Sequence, residues 1–166
     1  LPARAVRLAR RMSLFIGIAA LVLAADQWTK ALVREHLAFG EAWPAGWQWF
    51  RLTYVENTGA DFGILQGAGG ALMVVALVAI GGIVFVLMTL PTKNAFYVVA
   101  LSAMLGGAVG NLVDRVSFGG VTDFVDVAPA YYPAFNVADS AIVCGVIGLL
   151  ALTWFESNPR DEASAS

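Results

Sequence analysis

The sequence predicts an all-α integral membrane protein with four transmembrane helices and a small β-containing element on the outer membrane surface. Composition is the first reason: 59% of the 166 residues are hydrophobic and only 13% are charged. A soluble domain is about 45–50% apolar and about 25% charged, so lipid is the natural solvent for the excess. The second reason is that four stretches reach the roughly 20 apolar residues a membrane span needs. They cover about 12–32, 68–90, 95–113 and 137–155, within one domain of 1–166. The third is the aromatic and β-branched character of the loop between the first two.

The first span follows an arginine-rich start, Arg4, Arg7, Arg10 and Arg11. Together with Lys93, between spans two and three, these charges place both termini in the cytoplasm. The outer loops are then about 33–67 and 114–136. A competing reading makes Leu14 to Leu23, followed by Ala24-Ala25, a cleavable signal peptide. Trp28, Ala31, Leu32 and Val33 carry the apolar pattern past that point and favour a retained helix. In the first outer loop Trp43, Trp47, Trp49 and Phe50 are of the type that settles at a membrane interface. Trp49 to Val55 reads as a short strand. Pro91 to Asn94 is so short a link that spans two and three form an antiparallel hairpin.

Net charge is −2, with no basic patch beyond the N-terminus, which excludes nucleic acid as a partner. The lone Cys144 forms no internal disulfide, and the lone His36 makes no histidine metal site. His36 is expected at the interface, and no metal or cofactor is called for. Ionisable groups within or beside spans are costly and therefore candidate functional groups. Asp26 and Lys30, one turn apart, read as a self-neutralising ion pair or as a chemical pair. Asn57-Thr58-Gly59-Ala60 reads as a tight turn whose asparagine can also hold a peptide backbone. The glycines of Gly106 to Gly110, Gly107 among them, suit close helix packing. Asn111, Asp114 and Arg115 at the end of that span form either an edge-stabilising network or a ligand grip. Asp126 is expected to be exposed in a loop. Asn136 suits a helix N-cap and Asp139 the third helical position, so capping alone explains them. Asp123 follows the Gly119-Gly120 pair. Two aspartates held close at a low-dielectric edge cannot both ionise, and such a pair can activate water and protonate a leaving group.

Five motifs in order resemble the lipoprotein signal peptidases (type II signal peptidases) of bacteria. They are Asp26-Gln27-Trp28-Thr29-Lys30, Asn57-Thr58-Gly59-Ala60, Gly106 to Arg115, Val121-Thr122-Asp123-Phe124 and Phe135-Asn136-Val137-Ala138-Asp139-Ser140. The resemblance implies that Asp123 and Asp139 are a catalytic dyad of an aspartyl endopeptidase. It implies that Asn57, Asn111, Arg115 and Asn136 bind or position substrate, and that Asp26, Lys30, Gly107, Asp114 and Ala138 support them. The implied substrate is a lipid-modified prolipoprotein, cut just before its lipidated cysteine. The implied setting is the bacterial inner membrane, with the site on the periplasmic side, membrane lipids around it, no cofactor, and a monomer as the working unit. Asp61 stands where the family usually has a small residue, and it adds a carboxylate to the outer loop. The rivals are a proton-coupled transporter or small channel, which predicts polar groups through both membrane halves, and a non-enzymatic scaffold, which leaves the aspartates unexplained.

Overall fold

The computed structural model describes residues 3–59, 69–89, 94–128 and 131–157. The expectations for Asp61, for Lys93 and for the first residues of the 91–94 link lie outside them. Four helices carry the chain: α1 (Ala3–His36), α2 (Gly69–Thr89), α3 (Ala95–Phe118) and α4 (Val137–Ser157). All four contain windows long and apolar enough to cross a membrane. The α1 helix passes through Ala24-Ala25 without a break, and Asp26 and Lys30 just beyond are fully buried. The residues after the supposed signal-peptide cleavage site are therefore part of the bundle interior.

Helix α3 is the centre of the bundle, with more than half of its apolar window buried, against about a tenth for the other three. It packs on α1, α2 and α4. Small residues let it do so. A Cβ on Gly106 would meet the Ala19 carbonyl of α1 at 2.6 Å and Val22 Cβ at 2.8 Å, and one on Gly107 would strike the Ala138 carbonyl of α4. At the end of the bundle away from the sheet, Phe15, Ile83, Leu87, Val98 and Leu101 form an apolar cluster. There the Arg11 guanidinium donates to the Leu87 carbonyl at 2.8 Å, and the Tyr97 hydroxyl donates to Glu156 at 2.9 Å. The start of α1 and the end of α4 therefore lie at the same end of the bundle.

At the other end sits a three-stranded antiparallel sheet, β1 (Ala42–Trp43), β2 (Phe50–Asn57) and β3 (Val121–Val127), in that spatial order. The strand expected over Trp49 to Val55 is β2; β3 was not expected. Helix α3 also runs five residues past Val113 and ends where Gly119 takes φ 85°, with its N–H on the Arg115 carbonyl. That left-handed cap turns the chain straight into β3. Trp43, Trp47, Trp49 and Phe50 are all exposed on the sheet side, as is His36. Asp126 corrects an expectation. It is 5% exposed, and it faces Arg51 directly across the β2–β3 ladder with a 2.6 Å ion pair.

Candidate active site

The site lies where the sheet meets the ends of α1, α3 and α4. The Asn136 side chain caps α4 by accepting from the Asp139 N–H at 2.9 Å, and the Asp139 carboxylate accepts from the Asn136 N–H at 3.2 Å. This is a reciprocal capping box, so the helix-capping expectation is met. The same two side chains also reach further. Asn136 Nδ2 donates to Asp123 Oδ1 at 2.7 Å, and Asp139 Oδ1 accepts from Asn111 Nδ2 at 2.8 Å. Asn136 thus bridges the two carboxylates, one through its amide and one through its backbone.

Asp123 hangs from β3, opposite Val55 of β2. Its second oxygen accepts from Asn57 Nδ2 at 3.1 Å. Asn57 is held in turn by the Gly59 N–H, which donates to its Oδ1 at 2.9 Å while Gly59 takes φ 79°. The turn and the substrate-side role expected of Asn57-Thr58-Gly59 are therefore compatible. Burial pushes the Asp123 carboxyl up to about 6, helped by the negative charge of Asp139. The Asn57 and Asn136 hydrogen bonds and the Lys30 charge pull it back only in part.

Behind the two carboxylates lies a fully buried ionic cluster. Lys30 Nζ sits 2.9 Å from Asp26 Oδ2 and 3.3 Å from Asp114 Oδ2, with all three side chains at 0% exposure. It also donates to Asn111 Oδ1 at 2.9 Å. Asp26 Oδ1 accepts the Ala138 N–H at 2.9 Å, another free amide at the start of α4. Asp114 Oδ2 accepts the Thr122 N–H at 2.9 Å and so fixes the start of β3. Each buried charge is paired and hydrogen-bonded, the condition under which buried ions persist. The cluster holds α4, and with it Asp139, and β3, and with it Asp123, in register on α1 and α3.

Asn57, Asn111, Asn136, Asp123, Asp139, Asp26, Lys30, Asp114, Gly107 and Ala138 come together here. Arg115 is half-buried beside them, and its guanidinium donates to the Asn111 carbonyl at 3.3 Å rather than to either carboxylate. Sequence reasoning missed three contributors. Gln27 Nε2 donates to Asp114 Oδ1 at 3.0 Å and to the Gly110 carbonyl at 3.1 Å. Arg34 donates to Thr122 Oγ1 at 2.8 Å, approaches Asp114 at 3.7 Å, and stacks 4.5 Å over the Phe118 ring. Thr122 also gives its carbonyl to Asn136 Nδ2 at 3.3 Å. Gln27 had one visible signal, a polar side chain inside an apolar span. Arg34 had none, because its partners come from another helix and a strand.

The carboxylates open into a cavity of about 590 Å³, lined by Asn57, Asp123, Val127, Tyr132, Phe135 and Asp139 among others. Two acids sharing an amide bridge at a partly dry, apolar-walled opening suit general acid–base attack of water on an acyl carbon. A family model described as signal peptidase (SPase) II matches residues 18–155. The chain belongs to the signal peptidase II family. This makes it a multi-pass bacterial membrane protein and a peptidase. It is 44% identical over 138 residues to the lipoprotein signal peptidase of Brevibacillus brevis, covering 83% of this chain and 92% of that one. It is 38% identical over 157 residues to the lipoprotein signal peptidase of Acinetobacter baumannii, covering 91% and 89%. Two solved structures described as bacterial membrane enzymes superpose with TM-scores of 0.77 each, at 32% and 30% identity. Each covers 89% of this chain, and 92% and 93% of their own. Signal peptidase II membership and this geometry fall on the same residues, since the matched range contains the whole cluster from Asp26 to Asp139.

Proposed function

We propose that this member of the signal peptidase II family removes signal peptides from lipid-modified prolipoproteins, cutting just before the lipidated cysteine, with Asp123 and Asp139 as its catalytic dyad. The observation that carries the assignment is the Asn136 bridge. It holds two carboxylates on one cavity, one of them raised to about 6. In this mechanism Asp123 holds the shared proton. Asp139, in the first turn of α4 with an N–H donor on each oxygen, carries the negative charge, which a helix N-terminus favours. Asp139 takes a proton from water as the hydroxyl adds to the scissile carbonyl carbon, and Asp123 protonates the carbonyl oxygen. The tetrahedral intermediate then collapses. The proton on Asp139 passes to the leaving amine, the C–N bond breaks, and Asp123 recovers its proton from the hydroxyl.

The arrangement of charge supports a periplasmic site. Arg10 and Arg11 lie at the end of the bundle opposite the sheet, as do the start of α1 and the end of α4, and the positive-inside rule assigns that end to the cytoplasm. The chain works as a single unit and as a monomer, among lipids that its exposed apolar helices contact. Helix α2 has no ionisable residue, which leaves a proton-relay reading without a path along that helix.

The test is cleavage of a lipidated prolipoprotein by purified Asp123→Asn and Asp139→Asn variants in detergent. Each should fold and lose at least about a thousandfold in kcat, the scale seen when one member of a catalytic pair is removed. Near-normal turnover by either variant refutes the dyad.

A further inference from the structure

Three carboxamides surround the two carboxylates, and all three turn their NH2 groups toward them. Asn57 Nδ2 and Asn136 Nδ2 face Asp123, and Asn111 Nδ2 faces Asp139. A carboxamide can rotate by half a turn and present its oxygen instead, at little steric cost. What decides its direction is a partner on the other side that can only donate. For Asn57 that partner is the Gly59 N–H, and for Asn136 it is the Asp139 N–H. Both are backbone groups fixed by the turn and the helix. For Asn111 the donors on its oxygen are the Lys30 ammonium at 2.9 Å and Asn136 Nδ2 at 3.2 Å. The second divides two hydrogens among three acceptors, with Asp123 Oδ1 nearest at 2.7 Å and the Thr122 carbonyl at 3.3 Å, so the ammonium is the closer and undivided donor.

We propose that Lys30 is a positioning residue for the cleavage reaction: its ammonium holds the Asn111 carboxamide oxygen inward, so that only N–H groups face Asp139. Balancing Asp26 and Asp114 is the obvious task for Lys30, and it leaves the third contact unexplained. An ammonium has three protons, and here two go to carboxylates and one to Asn111. With that pin removed, only the shared Asn136 amide is left on the Asn111 oxygen, and the carboxamide can turn its carbonyl toward Asp139. A lone-pair oxygen beside a carboxylate repels its charge, and the group that must receive a proton from water no longer stands ready to do so. The effect belongs to the chemical step, because Asn111 is buried behind the dyad and outside the walls of the cavity.

The inference rests on the aspartyl reading of the site, and the experiment separates the two. Lys30→Met alone leaves two buried carboxylates facing one fewer cation, so the informative variant is Lys30→Met/Asp26→Asn. It keeps the charge of the cluster unchanged and lets residue 26 still accept the Ala138 N–H. The second variant is Asn111→Asp. It has the same shape and places an oxygen where the NH2 stood. Folding is followed by thermal unfolding in detergent and turnover with a lipidated prolipoprotein. Both folded variants should lose at least about tenfold in kcat with KM within about threefold of the parent, the signature of an interaction needed in the transition state. A kcat near the parent value in either folded variant, or a loss carried by KM instead, overturns the role of Lys30. Should the double variant fail to fold, Lys30→Met/Asp114→Asn, which keeps the same cluster charge and can still accept the Thr122 N–H, decides the question on the same thresholds. An active Asp123→Asn in the same assay sinks the dyad itself, whereas an inactive Asp123→Asn beside a fully active double variant sinks only the positioning role.

Discussion

Asp123 is held at a cost. Its carboxyl stands at about 6 in the folded protein against the usual 3.8, chiefly through burial and then through Asp139. A raised carboxyl pKa means that the folded state keeps a proton the unfolded chain gives up. The folded state suffers no penalty below about pH 3.8. As pH rises through 6 the penalty grows to its full value, about 3 kcal/mol for a shift of this size. Asp123→Asn never ionises and escapes it. The new amide must, however, set a donor against Asn57 or Asn136, which costs about 1–2 kcal/mol. The variant should therefore be more stable than the parent near pH 8 and less stable near pH 4, as thermal unfolding in detergent would reveal. A difference of one sign at both pH values would contradict the placement of Asp123. Asp126 shows the limit of reading residues one at a time. Its burial depends on Arg51, 75 positions away in the chain, and nothing in its local sequence announces that partner.

Among the elements, α3 concentrates the constraints. Lipid gives helices no hydrophobic reason to associate, so close packing of small residues must do it. Gly107 touches the first turn of α4, which carries Asp139. Gly107→Ala would put its methyl against the Ala138 carbonyl and push α4 outward. We expect a loss of about 2 kcal/mol or more and at least tenfold in turnover. Gly82→Ala in α2 meets nothing within 4 Å. It should be neutral or stabilise by up to about 1 kcal/mol through helix propensity. Equal behaviour of the two variants, in unfolding and cleavage assays run side by side, would mean that α3 does not set the position of Asp139.

The helices were legible because an apolar run of span length has few alternatives. In the candidate site Asp26, Lys30, Asn111 and Asp114 stood out as polar residues in or beside such runs, whereas capping alone explained Asp139 and its expected role came from the resemblance of the motifs. Strand β3 was not. Val121 to Val127 is buried nearly throughout, so acids fall on both faces and blur the alternation that marks a strand. Its partner β2 is more than 60 residues earlier, and Gly119 hides the turn into it. Arg34 was missed for a related reason, since its partners Asp114, Phe118 and Thr122 come from another helix and a strand.

For the whole molecule, the two ends of the bundle are chemically unlike, and this makes the topology testable. In a Cys144→Ser background, Tyr131→Cys should react in intact cells with a thiol reagent that cannot cross the membrane, and Ser157→Cys should not. The reverse pattern would invert the orientation.

The outer edge of β3 has a consequence for what the peptidase can recognise. The N–H groups of Phe124 and Val125 both donate to the Phe135 carbonyl, Phe135 donates back to Val125, and the Thr122 carbonyl accepts from Asn136. The protein has filled this edge with its own chain, so a substrate cannot lie along β3 as a further strand. Proteases that take their substrate by strand addition gain affinity from main-chain hydrogen bonds. Here those bonds are already spent. Substrates N-methylated singly at residues flanking the cut should then lose less than about fivefold each in kcat/KM, the value of one hydrogen bond; losses near a hundredfold would mean that strand addition occurs elsewhere. Main-chain bonds are blind to side chains, so an enzyme that lacks them along β3 must draw its affinity from other parts of its client. It depends on delivery: a lipid anchor and an apolar helix bring the bond to the right depth, and many unrelated proteins can share one address.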